Sequence, residues 1–494
     1  MNHALASFLF SATALLTASA ILPAEAVAAK KKAPQPNLTG TVTVSGRPTA
    51  NIAVSDGFTV TTTDSNGRYS IVADPDSSKF VFVSIPADCA IPQQGKHPVI
   101  YQTIAYDTKH KATHDFTLEQ SAPTDTFSIL AVADVQLQNE LDLGQLKTDV
   151  IDALSYDSRQ LASLRPVIGI SLGDLVWDNM PMYTDYHRQM SRIGIPFFNV
   201  IGNHDHDLRV KADDLNADNA FEEACGPTYY SFNIGKCHII ALDDILYTDR
   251  KHYEHTITQR QLQWLRQDLA HTDPDATIVL CVHVPTSRRN SPMRLTNVDE
   301  LYSILNGRRV EILSGHTHTQ QNTTITDSIH EHTLGALQGS FWTGDLCADG
   351  TPRGYAVLTF HGPKLADYYY KGTDHPRNYQ MYIYAPGESV IPEYKDAVIA
   401  NIFNWHTDWT VEACEDNGPW VTIPSNTVQP DPRAYLHMKG KHAPATRSWS
   451  EPLEINDHTF VYRPQNAGWH TVTFRATDPF GNVYTDFIRN PLLN

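Results

Sequence analysis

Cysteine is scarce and scattered. The six in 494 residues (Cys89, Cys225, Cys237, Cys281, Cys347, Cys414) never fall in CxxC spacing, which excludes a zinc knuckle or a thioredoxin-like motif. The nearest pair brackets TYYSFNI-GK-CHII, a hairpin turning at Gly235-Lys236. That register sets Cys237 opposite Ile234, so no Cys225–Cys237 disulfide is expected. Positive charge is short as well: Lys plus Arg is 38 against 55 Asp plus Glu, a net −17. Such a chain repels nucleic-acid backbones and anionic lipid as a whole, so no nucleic acid is expected as a stable partner. Any chemistry on an anion must rest on a local cationic site. Long apolar runs are confined to residues 4–22 (ALASFLFSATALLTASAIL). Followed by Ala24-Glu25-Ala26, these read as a signal peptide over 1–26. Met1-Asn2-His3 carries no Lys or Arg, which leaves an uncleaved anchor as the other reading. The first cysteine comes only at Cys89, so a lipoprotein is excluded. No second run reaches the ~20 apolar residues of a membrane span. The mature chain is expected free in a periplasm or the medium, with its oligomeric state open.

What remains is an ordinary folded composition, 41% hydrophobic and 19% charged, too long for one core. Residues 38–120 alternate apolar with polar residues between turns such as Asp64-Ser65-Asn66-Gly67, the pattern of a small β-sandwich. From 125 to 362 apolar strands (FSILAVA, PVIGISL, PFFNVI, HIIALDD, TIVLCVHV, VEILSG) each end in a polar cluster, with helices between several of them. Thr258 with Gln261, and Asn297 with Glu300, mark two helix starts, and Asn306-Gly307 marks a stop. This is an α/β region whose ligands should gather at strand carboxyl ends. Residues 363–494 return to short strands rich in Trp, Tyr and Thr, a second β-sandwich.

Five strand ends carry metal-ligand side chains: Asp134-Val135-Gln136, Gly173-Asp174, Gly202-Asn203-His204-Asp205, His283 and Gly315-His316-Thr317-His318. Each fragment alone is an ordinary turn or helix cap. Together, in order and each behind an apolar strand, they resemble the calcineurin-like metallophosphoesterases, whose motifs run D-x-H or D-x-Q, GD, GNH with Asp or Glu, H and GHxH. GPTYYSF at 226–232 and QRQLQWLRQDLA at 259–270 match too. The flanking β modules resemble, less specifically, secreted bacterial members with three modules, the first transthyretin-like.

The resemblance implies a layered α/β/β/α sandwich between two all-β domains, and a phosphomono- or phosphodiester hydrolase using a metal-bridging hydroxide. It implies two divalent ions, Mn or Zn expected and Fe admissible, on seven side chains. Asp174 bridges, Asp134, Gln136 and His318 complete one ion, and Asn203, His283 and His316 the other. His204 would face the substrate as catalytic group, with Asp205 fixing its tautomer. Gln136 stands where many members have His, and Trp177 where purple acid phosphatases carry a ligand Tyr, which disfavours a ferric enzyme. Substrate contacts are less legible. Arg288 and Arg289 either bind phosphate or form a solvated basic loop. Phe341 and Trp342 either stack on substrate or plug the core. His206 is a candidate rim residue, and Asp178 a loop-ordering one. The rival from another class, a surface or glycan-binding protein on a worn scaffold, is opposed by the presence of a coordinating side chain at every inferred position.

Overall fold

In the computed structural model, residues 34–493 are described except 212, 250, 251, 290 and 440–455. The signal-peptide expectation over 1–26 therefore lies outside the described residues. The central strands are β1 (Thr126–Val132), β2 (Val167–Leu172), β3 (Phe197–Val200), β4 (Tyr230–Ile234), β5 (Cys237–Ala241), β6 (Thr277–Cys281), β7 (Arg309–Ser314), β8 (Gln321–Thr326), β9 (Ile329–Thr333), β10 (Gly354–His361) and β11 (Lys364–Gly372). They form two sheets, ordered β3-β2-β1-β10-β11 and β4-β5-β6-β7-β9-β8. Within them β1, β2 and β3 run parallel, as do β5, β6, β7 and β9.

The two-residue period of a strand explains why these segments read as unbroken apolar runs. Along β1, Phe127, Ile129 and Ala131 enter a core shared with Phe232, Ile239 and Val279 of the second sheet. Leu130 and Val132 point the other way, into a core with Ile151, Leu154, Tyr183 and Tyr186 of two helices, Ile151–Ala162 and Tyr183–Met190. The helices Gln259–Ala270 and Val298–Leu305 add Leu262, Leu265, Leu301 and Leu305 to the core of the second sheet. The result is the α/β/β/α layering. No helix among the described residues is long and apolar enough to cross a membrane, and all six cysteines are buried with no disulfide among them.

Two helix-start expectations change in detail. Thr258 Oγ1 does accept from the Gln261 N–H. The Gln261 side chain, instead of reaching the Thr258 backbone, pairs with both backbone groups of Asp243 at 3.0 and 2.9 Å, while its amide nitrogen also donates to Thr258 Oγ1 at 3.4 Å. Asn297 precedes its helix without capping it, because its amide is taken by the backbone of Ile257.

On the N-terminal side, Leu38–Val44 pairs with Arg68–Ile71, Ala112–Thr113 and Phe116–Leu118, and a second sheet is built on Ala53–Ser55 and Phe80–Val83. This module is not a separate bead. Its Val54, Phe82 and Val83 share a core with Trp264, whose indole N–H donates to Ser55 Oγ at 3.0 Å.

The C-terminal strands, from Met381–Tyr384 to Val483–Arg489, make two four-stranded sheets over Val398, Ile402, Phe460 and Phe474. The expected joint at 362/363 falls inside a hairpin. His361 pairs with Lys364 and Gly354 with Gly372, so β11 completes the first central sheet. An antiparallel edge hairpin carries the same alternation as an all-β module, and composition cannot tell the two apart.

Candidate metal centre

Strand carboxyl ends of both sheets converge, and the glycines of the motifs let them. A Cβ on Gly173, at φ +83°, would lie 2.5 Å from His283 Nδ1, and one on Gly202 would lie 2.4 Å from Asp174 Oδ1. Only glycine tolerates such approach. Backbone strain is concentrated here too. Among the described residues, Asp134, Gln136, Asp174, Asp178, His316, His318, Phe341 and Trp342 all have positive φ, between 49° and 68°. Left-handed conformations of non-glycine residues cost energy and persist where surrounding structure imposes them, characteristically at functional sites.

The donors are buried and crowded. Ligand atoms of Asp134, Asp174 and His283 lie within 4.8 Å of one another. His283 Nδ1–H donates to Leu172 O at 2.8 Å, which leaves Nε2 to face Asn203 Oδ1 at 3.1 Å, His316 Nδ1 at 3.2 Å and Asp174 Oδ1 at 3.4 Å. His318 Nε2 is 3.3 Å from Asp134 Oδ1. Nitrogen and oxygen donors of imidazole, carboxylate and amide thus crowd together, a donor set that suits Mn, Zn or Fe. Against its burial, the charge of Asp174 raises the pKa of His283 to about 10, and a cation bound at Nε2 would displace that proton. Although burial opposes it, the imidazoles of His283 and His204 hold the Asp174 carboxyl well below its usual range. Burial, and then the charge of His283, push His316 well below the imidazole range, so it is neutral and free to coordinate.

Gln136 differs from expectation. Its amide nitrogen, not its oxygen, faces the centre and donates to Asp174 Oδ2 at 2.8 Å, while Oε1 accepts from Gln338 Nε2 at 3.1 Å. Offering oxygen to a cation requires a half-turn of the amide, which exchanges donor and acceptor without changing shape. Gln338 also touches His318 Nδ1, at 3.3 Å. No motif exposes it in the sequence.

His204 projects beside these groups. Its backbone N–H donates to Asp174 Oδ1 at 2.9 Å, and its ring lies edge-on to Trp177 with centroids 5.5 Å apart. The expected orienting residue, Asp205, does not touch the ring. It is fully buried and accepts from the N–H groups of Gly202, Leu175 and Val176 and from the Tyr183 hydroxyl, tying the GNH loop to the GD loop. A carboxylate directly after a loop histidine points to the opposite side of a tight turn. Asp178 takes the expected place, 2.9 Å from His204 Nδ1. Burial opposes protonation of His204, but the charges of Asp174 and Asp178 win and raise its pKa. Asp244 was also missed. It accepts from the N–H groups of His283 and Val284 at 3.2 and 2.7 Å, and its signal was a second Asp at the end of HIIALDD.

The substrate candidates separate. Phe341 packs on Trp177 and His318, with centroids 4.8 and 5.2 Å apart, and so walls the centre. Trp342 is a core residue whose indole N–H donates to Val135 O at 3.0 Å. Arg288 reaches Thr319 Oγ1 at 3.2 Å, next to His318. Arg289 turns away to a two-point pair with Asp457 at 2.6 and 2.8 Å and stacks over Trp405, so it fastens the C-terminal module. His206 is no rim residue, being fully buried. One edge wall has no sequence signal, the hairpin Ile245–Asp249/His252–His255, whose His255 ring lies edge-on to His316 at 5.1 Å.

Arg289→Ala should strand the buried Asp457 carboxylate and cost roughly 3 kcal/mol of stability, with KM of the folded protein unchanged. Urea unfolding alongside steady-state kinetics checks this. A raised KM at unchanged stability would return Arg289 to the substrate site.

Three family models match in succession: the N terminal of calcineurin-like phosphoesterase over residues 36–121, calcineurin-like phosphoesterase over 127–320, and the C terminal of calcineurin-like phosphoesterase over 331–484. No curated protein matches the sequence. Among solved structures, the chain is similar to a dimetal phosphatase from Danio rerio, at 15% identity over 48% of this chain and 93% of that one, TM-score 0.35. It is similar to purple acid phosphatase PPD1 from yellow lupin (Lupinus luteus) seeds, at 11% identity over 66% and 67%, TM-score 0.38. A 5'-nucleotidase from Candida albicans follows at 13% identity over 48% and 47%, TM-score 0.31.

Proposed function

Because the chain belongs to the calcineurin-like phosphoesterases and is a metal-dependent phosphoric ester hydrolase, we propose that it hydrolyses phosphomono- or phosphodiesters outside the cytoplasm, at a dinuclear centre. The observation that carries the reading is the convergence of Asp134, Asp174, Asn203, His283, His316 and His318 on shared points beside His204. Asp134, Gln136, Asp174 and His318 would hold one cation, and Asp174, Asn203, His283 and His316 the other. Two such cations polarise a phosphoryl oxygen and lower the pKa of a water, so that hydrolysis runs near neutral pH.

The chain's own residues do the rest. Asp178 holds the Nδ1–H of His204, which fixes the ring and presents Nε2 to the substrate. With its pKa raised, Nε2 keeps a proton for the leaving oxygen or donates it to a developing phosphoryl charge. Trp177 and Phe341 supply an apolar wall that limits water. Arg288, which reaches Thr319 beside His318, would in this reading bind a non-reacting phosphate oxygen.

Chelation should abolish hydrolysis of p-nitrophenyl phosphate and bis(p-nitrophenyl) phosphate, and Mn²⁺ or Zn²⁺ should restore it. The ratio of the two rates decides between monoester and diester. Equal turnover before and after verified metal removal would refute the reading. Export is tested by mass spectrometry of protein from periplasm and medium, which should lack residues 1–26. An intact N-terminus retained in the cytoplasm would refute it.

A further inference from the structure

A second buried cluster shares no residue with the dinuclear centre. His206, two residues past His204, meets Asp218, between the helices Asp214–Ala217 and Asn219–Cys225, and Asp243, just beyond β5. One ligand atom from each lies within 4.8 Å of the others, and all three side chains are buried.

Two independent features point to a cation rather than an ion pair. The first is unmet bonding. His206 Nε2 and Asp218 Oδ1 approach to 3.1 Å, yet both atoms are buried without a hydrogen bond. Their separation suits one, so it is the angle that fails. An imidazolium paired with a carboxylate would be expected to align its N–H, because a buried unmade bond costs about 1–3 kcal/mol. Two ligands bound cis to one ion instead aim at the ion and not at each other. With metal–ligand bonds of about 2.0–2.2 Å, the edges of octahedral and tetrahedral sites run from roughly 2.8 to 3.6 Å, which brackets the observed approach.

The second feature is the far side of the ring. Its Nδ1–H donates to Gly202 O at 3.0 Å, and the ring stacks on Tyr247 with centroids 5.8 Å apart and planes 12° from parallel. A backbone carbonyl on one nitrogen, freeing the other as ligand, is the usual arrangement of a metal-bound histidine. His283 shows the same arrangement in the dinuclear centre.

Charge agrees. Asp218, Asp243 and Asp214 surround one imidazole and, against its burial, raise the pKa of His206 to about 9, so that a bound cation would take the place of that proton. Burial, then the charge of Asp218, push Asp243 well above its usual range. Arg260 offsets part of the charge at Asp214. Asp218 also lines a surface pocket with Lys79, Glu222 and Arg260.

We infer that His206 Nε2, Asp218 Oδ1 and the Asp243 carboxylate hold a third divalent cation of the manganese or zinc class, which pins the segment following His204. One imidazole with carboxylates suits these ions. The site does not depend on the proposed reaction.

Metal-free protein loaded with Mn²⁺ or Zn²⁺ and desalted should carry three ions per chain by elemental analysis, and Asp218→Asn should carry one fewer. Crystals grown with either metal should show an anomalous peak about 2.1 Å from His206 Nε2, a readout that needs no variant to fold. A dinuclear centre filled while this position stays empty would overturn the inference, as would an unchanged count in folded Asp218→Asn. A peak at His206 with an empty dinuclear centre would uphold it while removing the reading under Proposed function.

Discussion

Asp174→Asn should lose both ions of the dinuclear centre and with them about 10³-fold or more of the activity. That corresponds to roughly 4 kcal/mol, the scale of the charge stabilisation two metals give a transition state. Asp174 is the carboxylate between the two ligand groups, 3.4 Å from His283 Nε2 and 2.8 Å from Gln136 Nε2. Asn keeps one acceptor for the His204 N–H, so the loop keeps its shape. What it removes is the negative charge common to both cations. Elemental analysis should show two ions fewer than wild type, with circular dichroism unchanged. Full activity at wild-type metal content would mean that another group bridges.

His204→Ala should do the reverse, keeping the metals and losing roughly 10²–10⁴ in rate, the scale of general acid–base catalysis. Every inferred ligand side chain is left in place. Asp178→Asn refines the test. The carboxylate raises the pKa of His204, and a group acting as acid works only while protonated. Activity is then lost as pH rises through that pKa, so removing the carboxylate should move the basic limb of the kcat/KM profile to lower pH. Asp205→Asn should leave that limb in place, since Asp205 holds backbone N–H groups and not the ring. A wild-type rate for metal-loaded His204→Ala would remove it from the mechanism. A limb that moves with Asp205 and stays with Asp178 would reverse their roles.

The difference between those two aspartates shows what a sequence can and cannot tell. Residues that act by being at a strand end were legible, because an apolar run followed by Asp, Asn-His or His-x-His marks the carboxyl edge of a parallel sheet, where ligands bind. Asp134, Asp174, Asn203, His283, His316 and His318 all lie together for this reason. Residues that act through another side chain were not legible, because nearness along the chain does not give direction. Asp205 adjoins His204 and faces away, whereas Asp178 lies 26 residues earlier and meets it. Likewise His206 looked like a rim residue by continuity with its motif, but the turn of Asn203–Asp205 sends it into the interior. Gln338 and His255 come from segments with no marked pattern, brought in by tertiary packing alone. The misplaced joint at 362 has a related cause, since hairpin strands look the same at a sheet edge as in a separate sandwich.

The most direct test is a metal titration of the stripped protein, following release of p-nitrophenol from the mono- and diester while bound metal is counted in the same samples. Hydrolysis should be absent without metal, rise as the dinuclear centre fills, and stay about 10³-fold or more below wild type in Asp174→Asn at every metal concentration. Turnover that is independent of bound metal, or equal in Asp174→Asn and wild type, would contradict the account.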